Sequence, residues 1–379
     1  MSRLRHNKLE DFTFFPSKRV KISDLPPMTY VGVEQLVKNR GGVSFSDSLP
    51  DATSGIEYLP GDVLIGNIRP YLKKIWLADR CGGASGDVVV IRIKDSFAGK
   101  IDSAYLYKAL SSDAFFAYDN LNTKGAKMPR GDRESISRYL VPIPSISEQK
   151  RIVEETGLLV KIIDAKQQQL RDFDSLTRSL FYETFGDPSE NLENWPVVSL
   201  DSIANCSIGL TYKPDNVCED GTIVLRSSNI QENEIDLTDI VRVNSAIKEH
   251  LYVRKGDILM CSRNGSFKLL GKVARIESLP ERMTYGAFMT VIRSEYSPYL
   301  FEFFKLPAFR EQLGLAKTAT INQITVNMLA GTKIPLPPKE LQDCFANRVS
   351  VIYEQKKILK ESIKDCQQLL DSRMSHYFD

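Results

Sequence analysis

Two stretches decide the fold: "VPIPSISEQKRI" at residues 141–152 and "IPLPPKELQDCF" at 334–345. Pro142, Pro144 and Gln149 recur as Pro335, Pro337 and Gln342, each displaced by 193 residues in a chain of 379. That offset divides the chain into two near-equal halves and predicts an internal duplication. The prolines hold each stretch extended up to the first turn of a helix. Downstream, 147–185 and 339–378 contain no proline and show helical periodicity. In the second segment Phe345, Ile352, Leu359 and Cys366 repeat every seven residues, interleaved with Val349, Ile363, Leu370 and Tyr377; Lys356 interrupts the seam. In the first, Ile152, Leu159, Phe173 and Leu180 occupy one heptad position and Ile163 and Leu170 the other. Four or more heptads predict coiled-coil packing of long helices. Gly157 weakens the first helix by roughly 1 kcal/mol relative to Ala.

The segments between the helices have a different texture, with short strand-like runs ("GDVLIG", "VVVIRI", "GDILMC", "GKVARI") separated by turn residues. They echo each other too. "LPGDVLIGNIRPYLKK" from Leu59 corresponds to "VRKGDILMCSRNGSFKLL" from Val253. "KGAKMPRGDRESISRYLVPIP" from Lys124 corresponds to "KTATINQITVNMLAGTKIPLP" from Lys317, and "AYLYKALSSDAFFAY" to "PYLFEFFKLPAFREQL". The expected order is globular domain 1–146, long helix 147–186, globular domain 187–338, long helix 339–379.

Length and composition fit a folded chain of two or more domains, with 42% hydrophobic and 26% charged residues. No apolar run reaches membrane-spanning length, and no secretory signal is visible, so a cytoplasmic location is expected. Six scattered cysteines form no C-x-x-C pair and read as reduced thiols. Net charge is +2, so binding to nucleic acid would rest on local clusters. Three histidines without metal-ligand spacing argue against a zinc hydrolase. No P-loop, methyltransferase pocket motif or nucleophile constellation is present. "EQK" at 148–150 and 354–356 resembles half of a nuclease motif but lies within helical stretches, where solvated charge is the better reading.

Two domains on rigid helices suit the reading of two separated sites. Arg, Lys, Asn and Gln reach base edges, and Lys, Arg and hydroxyl groups reach phosphates. In the first domain the candidate DNA-binding residues are Asn67, Arg69, Tyr71, Lys73, Lys74, Lys124, Lys127 and Arg130. In the second they are Arg226, Ser228, Asn229, Arg263, Asn264, Ser266, Lys268, Thr320, Asn322 and Gln323. Lys73 and Lys74 are expected to contact phosphate, Arg263 and Asn264 to read bases.

The chain resembles the specificity subunit of type I restriction–modification systems. The match rests on the twin proline-to-helix motifs, the twin "GDVL" and "GDIL", "RPYLKK", "SRNGSFKLLGKVA", and the helix ends "SLTRSLFYETFGD" and "LLDSRMSHYFD". The resemblance implies an α/β (α+β) fold: two target-recognition domains separated by two long antiparallel coiled-coil helices, in a pseudo-two-fold repeat. It implies a non-catalytic subunit that reads a bipartite target in double-stranded DNA, carries two methyltransferase subunits and is joined by restriction (translocase) subunits. S-adenosylmethionine, ATP and Mg²⁺ then belong to those partners. The N-terminal stretch departs from the pattern, lacking the tryptophan found at Trp195. Two other readings stand beside this one: a free-standing methyltransferase or nuclease, and a coiled-coil scaffold that binds only proteins.

Overall fold

Each proline stretch ends a short strand and opens a 40-residue helix: Leu140–Pro142 leads to the helix Ile146–Phe185, and Lys333–Pro335 to Lys339–Phe378. The computed structural model describes residues 6–125, 127–315 and 323–379. They form two compact units, Met1–Gln168 with Lys360–Asp379, and Gln169–Leu359, so the division falls inside both long helices.

In the first unit Leu140–Pro142 pairs antiparallel with His6–Lys8. A four-stranded sheet runs in the order Thr13–Phe14, Val88–Ile93, Val63–Gly66, Ile75–Leu77. A second sheet has the order Arg19–Lys21, Ser54–Tyr58, Gly82–Ala84, Tyr30–Val31. The run "VVVIRI" is apolar on both sides because its sheet lies between two cores. Val63, Ile65, Val89 and Ile91 face one core with Phe12, Tyr105 and Phe115; Leu64, Val88 and Val90 face another with Tyr58 and Trp76.

The second unit repeats this plan. Val197–Ser199 pairs with Lys333–Pro335. The sheet Asn205–Ile208, Met289–Arg293, Ile258–Cys261, Val273–Arg275 again separates two cores, with Ile258 and Met260 on one face and Leu259 and Cys261 on the other. The N-termini match despite the missing tryptophan. Leu9 and Leu200 are both fully buried, and their N–H groups donate to Tyr139 O (2.9 Å) and Thr332 O (3.0 Å). Trp195 serves elsewhere, its indole N–H donating to Phe185 O at 3.0 Å.

The repeated residues have repeated tasks. Gln149 Nε2 donates to Pro144 O at 2.9 Å, and Gln342 Nε2 to Pro337 O at 2.8 Å, tying each helix's first turn to the proline segment before it. The hydroxyls of Tyr105 and Tyr299 donate to Pro142 O (2.7 Å) and Pro335 O (2.5 Å). Tyr105→Phe or Tyr299→Phe leaves a buried carbonyl unpaired and should cost about 1–2 kcal/mol in either unit. Denaturant titration of both variants checks this, and a loss confined to one unit would break the equivalence.

Asp62 and Asp257 of the twin "GD" motifs are buried, accept the N–H groups of Leu59 and Arg254 at 2.8 Å, and pair with Arg92 and Arg293. The glycines before them, Gly61 and Gly256, both have φ +89, a left-handed turn that a side chain would strain.

The helix segments within each unit run antiparallel. In the first, Ile152 shares a core with Phe378, and Glu155 accepts from the Tyr377 hydroxyl (2.8 Å) and pairs with Arg373 (3.0 Å). In the second, Phe181 and Phe185 pack on Phe345, with ring centroids 5.7 and 4.9 Å away. Lys356 does not break this packing. It is buried, with Nζ 2.5 Å from Asp174 Oδ1. Of the expected seam residues, Ile152, Ile163, Phe345 and Val349 are buried and Leu159, Leu170, Phe173, Leu180, Ile352, Leu359, Ile363 and Leu370 half-buried.

Candidate nucleic-acid interface

Both units bring the same two loops together. The loop after the central strand carries Ile68 in the first unit and Arg263 in the second. Each bridges a residue 193 positions apart in its partner loop, Ile68 to Arg130 and Arg263 to Gln323.

In the first unit Arg69 N–H donates to Pro129 O at 2.8 Å, and Gly131 N–H to Asn67 O at 3.0 Å. Arg69 and Lys73 have φ of +53 and +49, strained values for side chains of this size. Lys124 and Arg130 exchange backbone hydrogen bonds of 2.8 and 2.9 Å, closing the second loop. Arg69, Tyr71, Lys124, Lys127 and Arg130 stand exposed. Lys124 pairs with Asp132 (2.9 Å), which raises its pKa, and Arg130 with Asp87 (3.2 Å).

Lys73 and Lys74, expected to contact phosphate, both make polar contacts within the first unit. Lys74 turns inward, its ammonium donating to Val33 O at 2.5 Å, and burial lowers its pKa against the opposing charge of Glu34. Lys73 is held on Asp113 at 2.5 Å, where Arg40 also binds, so both lysines are occupied within the protein. Side-chain direction decides this, and adjacent lysines in a loop do not reveal it.

In the second unit the Arg263 guanidinium lies 5.8 Å from the Phe288 ring centre and donates through Nε to Gln323 Oε1 at 3.0 Å. Asn264 Nδ2 donates to Ser227 Oγ at 3.2 Å, joining this loop to the one at 226–229. Arg226 is held by Asp239 at 3.0 Å, while Ser228, Ser266 and Lys268 are exposed. Asn229 is set into the frame of the second unit. It is fully buried, donates to Asp236 O (2.9 Å) and Asp239 O (2.8 Å), and accepts from Arg226 N–H (2.9 Å). Thr320 and Asn322 lie outside the described residues.

Sequence reasoning missed Phe288, a phenylalanine 58% exposed beside Arg263, and Arg133, which donates to Gly86 O at 3.3 Å. Phe288 is apolar and carries no polar signal, and Arg133 opens the short helix Arg133–Ser137 just past the candidate loop. Burial pushes the Cys206 thiol up to about 11, opposite to the direction a nucleophile needs. Among the described residues no three His, Cys, Asp or Glu side chains are grouped to hold a metal, and no helix is long and apolar enough to cross a membrane.

Both units thus carry paired loops with exposed Arg and Lys side chains on a duplicated α/β frame. Residues 192–366 match the family model described as type I restriction modification DNA specificity domain. The EcoKI type I restriction enzyme specificity subunit of Escherichia coli (strain K12) is 28% identical over 187 residues, 47% of this chain and 40% of that one. The EcoBI specificity subunit of Escherichia coli is 21% identical over 386 residues, 92% of this chain and 77% of that one. A chain solved in work on complex assembly and conformational transition of the type I R-M system has the same fold. It shows a TM-score of 0.61 and 20% identity, covering 99% of this chain and 97% of that one. The second half of the chain thus carries the type I restriction modification DNA specificity domain, and the whole chain is similar to type I specificity subunits. Its match spans less than half the length of the K12 relative.

Proposed function

We propose that the chain is the sequence-reading subunit of a type I restriction–modification enzyme, each unit reading one half of a bipartite target in double-stranded DNA. One observation carries this reading: the same two-loop bridge, Ile68 to Arg130 and Arg263 to Gln323, is built twice on one frame with different side chains. A retained frame with divergent loops suits two readers of different sequence. On this proposal the chain is not itself catalytic. It assembles two methyltransferase subunits, and restriction subunits join them in the cytoplasm. S-adenosylmethionine, ATP and Mg²⁺ are used by those partners.

Phosphate contact in the first unit is assigned to Lys127, Arg130 and Lys124, exposed on one loop. Base reading in the second is assigned to Arg263, with Phe288 flanking its guanidinium. The test is selection of bound duplexes from a random library by the complex reconstituted with methyltransferase subunits. The wild type should enrich an interrupted motif. Arg263→Ala should relax one half of it by about 1–3 kcal/mol and leave the other half unchanged. Equal weakening of both halves would remove Arg263 from base reading. Absence of any enriched sequence would favour a protein-only scaffold, and methyl transfer by the purified chain alone would favour a free-standing methyltransferase.

A further inference from the structure

Beneath the loop pair of the first unit lies a group of polar atoms that the frame does not require. Asp119, in the last turn of the helix Asp113–Leu121, is only 1% exposed. Neither of its carboxylate oxygens has a hydrogen-bond partner among the described residues, and nor does Asn67 Oδ1. A Cβ placed on Gly131 would stand 2.7 Å from Asp119 Oδ1 and 2.8 Å from Asn67 Oδ1, so all three residues meet at one point. Asn67 and Gly131 are the roots of the two loops and are joined by the Gly131 N–H to Asn67 O bond of 3.0 Å.

The second unit solves the same position without an acid. Phe115 and Phe309, both fully buried in their helices, put Leu313 opposite Asp119, and the twin buried aspartates Asp62 and Asp257 put Ser262 opposite Asn67. Leu313 is buried in the core, and Ser262 Oγ finds Thr290 Oγ1 at 2.6 Å. A buried, unpaired carboxyl is costly. Burial, with the charge of Asp132 added, pushes Asp119 up to about 6. An apolar residue at this place serves the fold, so the acid calls for a role outside it.

We propose that Asp119 accepts a hydrogen bond from Asn67 Nδ2 and is a positioning residue for the half-site read by the first unit. Turning the Asn67 amide about its terminal bond exchanges Oδ1 for the donor Nδ2 facing the carboxylate. The bond fixes the root of the loop bearing Arg69 and Tyr71 against the root of the loop bearing Lys127 and Arg130. Gly131 has no side chain because one would occupy the space of the bond. The functional part rests on the reading proposed above; the bond itself does not.

Two measurements on the full chain keep these apart. Without DNA, the side-chain amide protons of Asn67 should exchange with solvent at least tenfold more slowly in the wild type than in Asp119→Leu. Equal rates would overturn the bond. With the methyltransferase-bound complex, Asp119→Leu copies the second unit. It should keep or raise the melting temperature, retain the second half-site, and lose tenfold or more of its preference at the first. Gly131→Ala should give the same one-sided loss, while Asp119→Asn, which still presents an acceptor, should keep most of the preference. An Asp119→Leu complex that reads both half-sites as the wild type does would overturn the positioning role. A wild type that selects no interrupted motif, with Asn67 still protected, would instead overturn the DNA-reading proposal and the positioning role while leaving the bond standing.

Discussion

Phe345→Ala is expected to destabilise the protein by about 3–5 kcal/mol, the range for truncating a buried phenylalanine. The ring is 1% exposed and closes a cluster in which Phe181 and Phe185 stand 5.7 and 4.9 Å away, with Tyr299 5.5 and 5.1 Å from those two rings. Four aromatic side chains from both helix segments and the frame of the second unit meet here. Truncating one opens a cavity that rigid neighbours cannot collapse into. Val351→Ala on the same helix is the control. Val351 is 60% exposed, and its loss should stay within about 0.5 kcal/mol. Thermal and denaturant unfolding of the pair of variants separates core packing from helix propensity. Equal small losses would mean that the helix segments do not pack as described.

Asp257→Ala is expected to lower stability by about 3–5 kcal/mol, because it leaves a guanidinium facing the core edge without its carboxylate. Asp257 accepts from Arg293 Nε at 2.8 Å, from its terminal nitrogen at 2.6 Å, and from Arg254 N–H at 2.8 Å. Arg293 is 31% exposed and also donates to Tyr252 O at 3.1 Å, which places the loss towards the lower end of that range. Asp62 and Arg92 repeat the arrangement, with Nε at 2.9 Å and the terminal nitrogen at 2.7 Å, so Asp62→Ala should cost a similar amount. Adding Arg293→Met to Asp257→Ala should recover much of the loss, since the unpaired charge is then gone. A denaturation series over single and double variants measures this, and no recovery in the double variant would show that the backbone bond to Arg254 dominates.

The duplication and its helices were legible because they are written as spacing. A proline before a helix and apolar residues every seven positions constrain the backbone whatever the surroundings. The aspartates of "GDVL" and "GDIL" could be matched between halves, but their partners Arg92 and Arg293 lie on a strand distant in sequence. Tyr105 and Tyr299 were visible as aligned aromatics, whereas the proline carbonyls they serve depend on the folded chain. The candidate site was less legible. The loops could be found from glycine and polar composition, yet Lys74 turns inward and Asn229 satisfies the backbone. Lys356 shows the reverse case, a cation that interrupts an apolar pattern and is accommodated by an aspartate 182 residues away. Loop composition identifies where a surface is polar; the direction of each side chain is set by tertiary partners.

The most direct test of the central claim is a genome-wide map of methylated adenines in a host expressing this chain with the methyltransferase subunit proposed as its partner. Two units with equivalent loop pairs predict methylation at a motif of two short specified tracts separated by unspecified bases, with Arg263→Ala altering one tract alone. A single uninterrupted motif, or a map in which Arg263→Ala alters both tracts together, would contradict it.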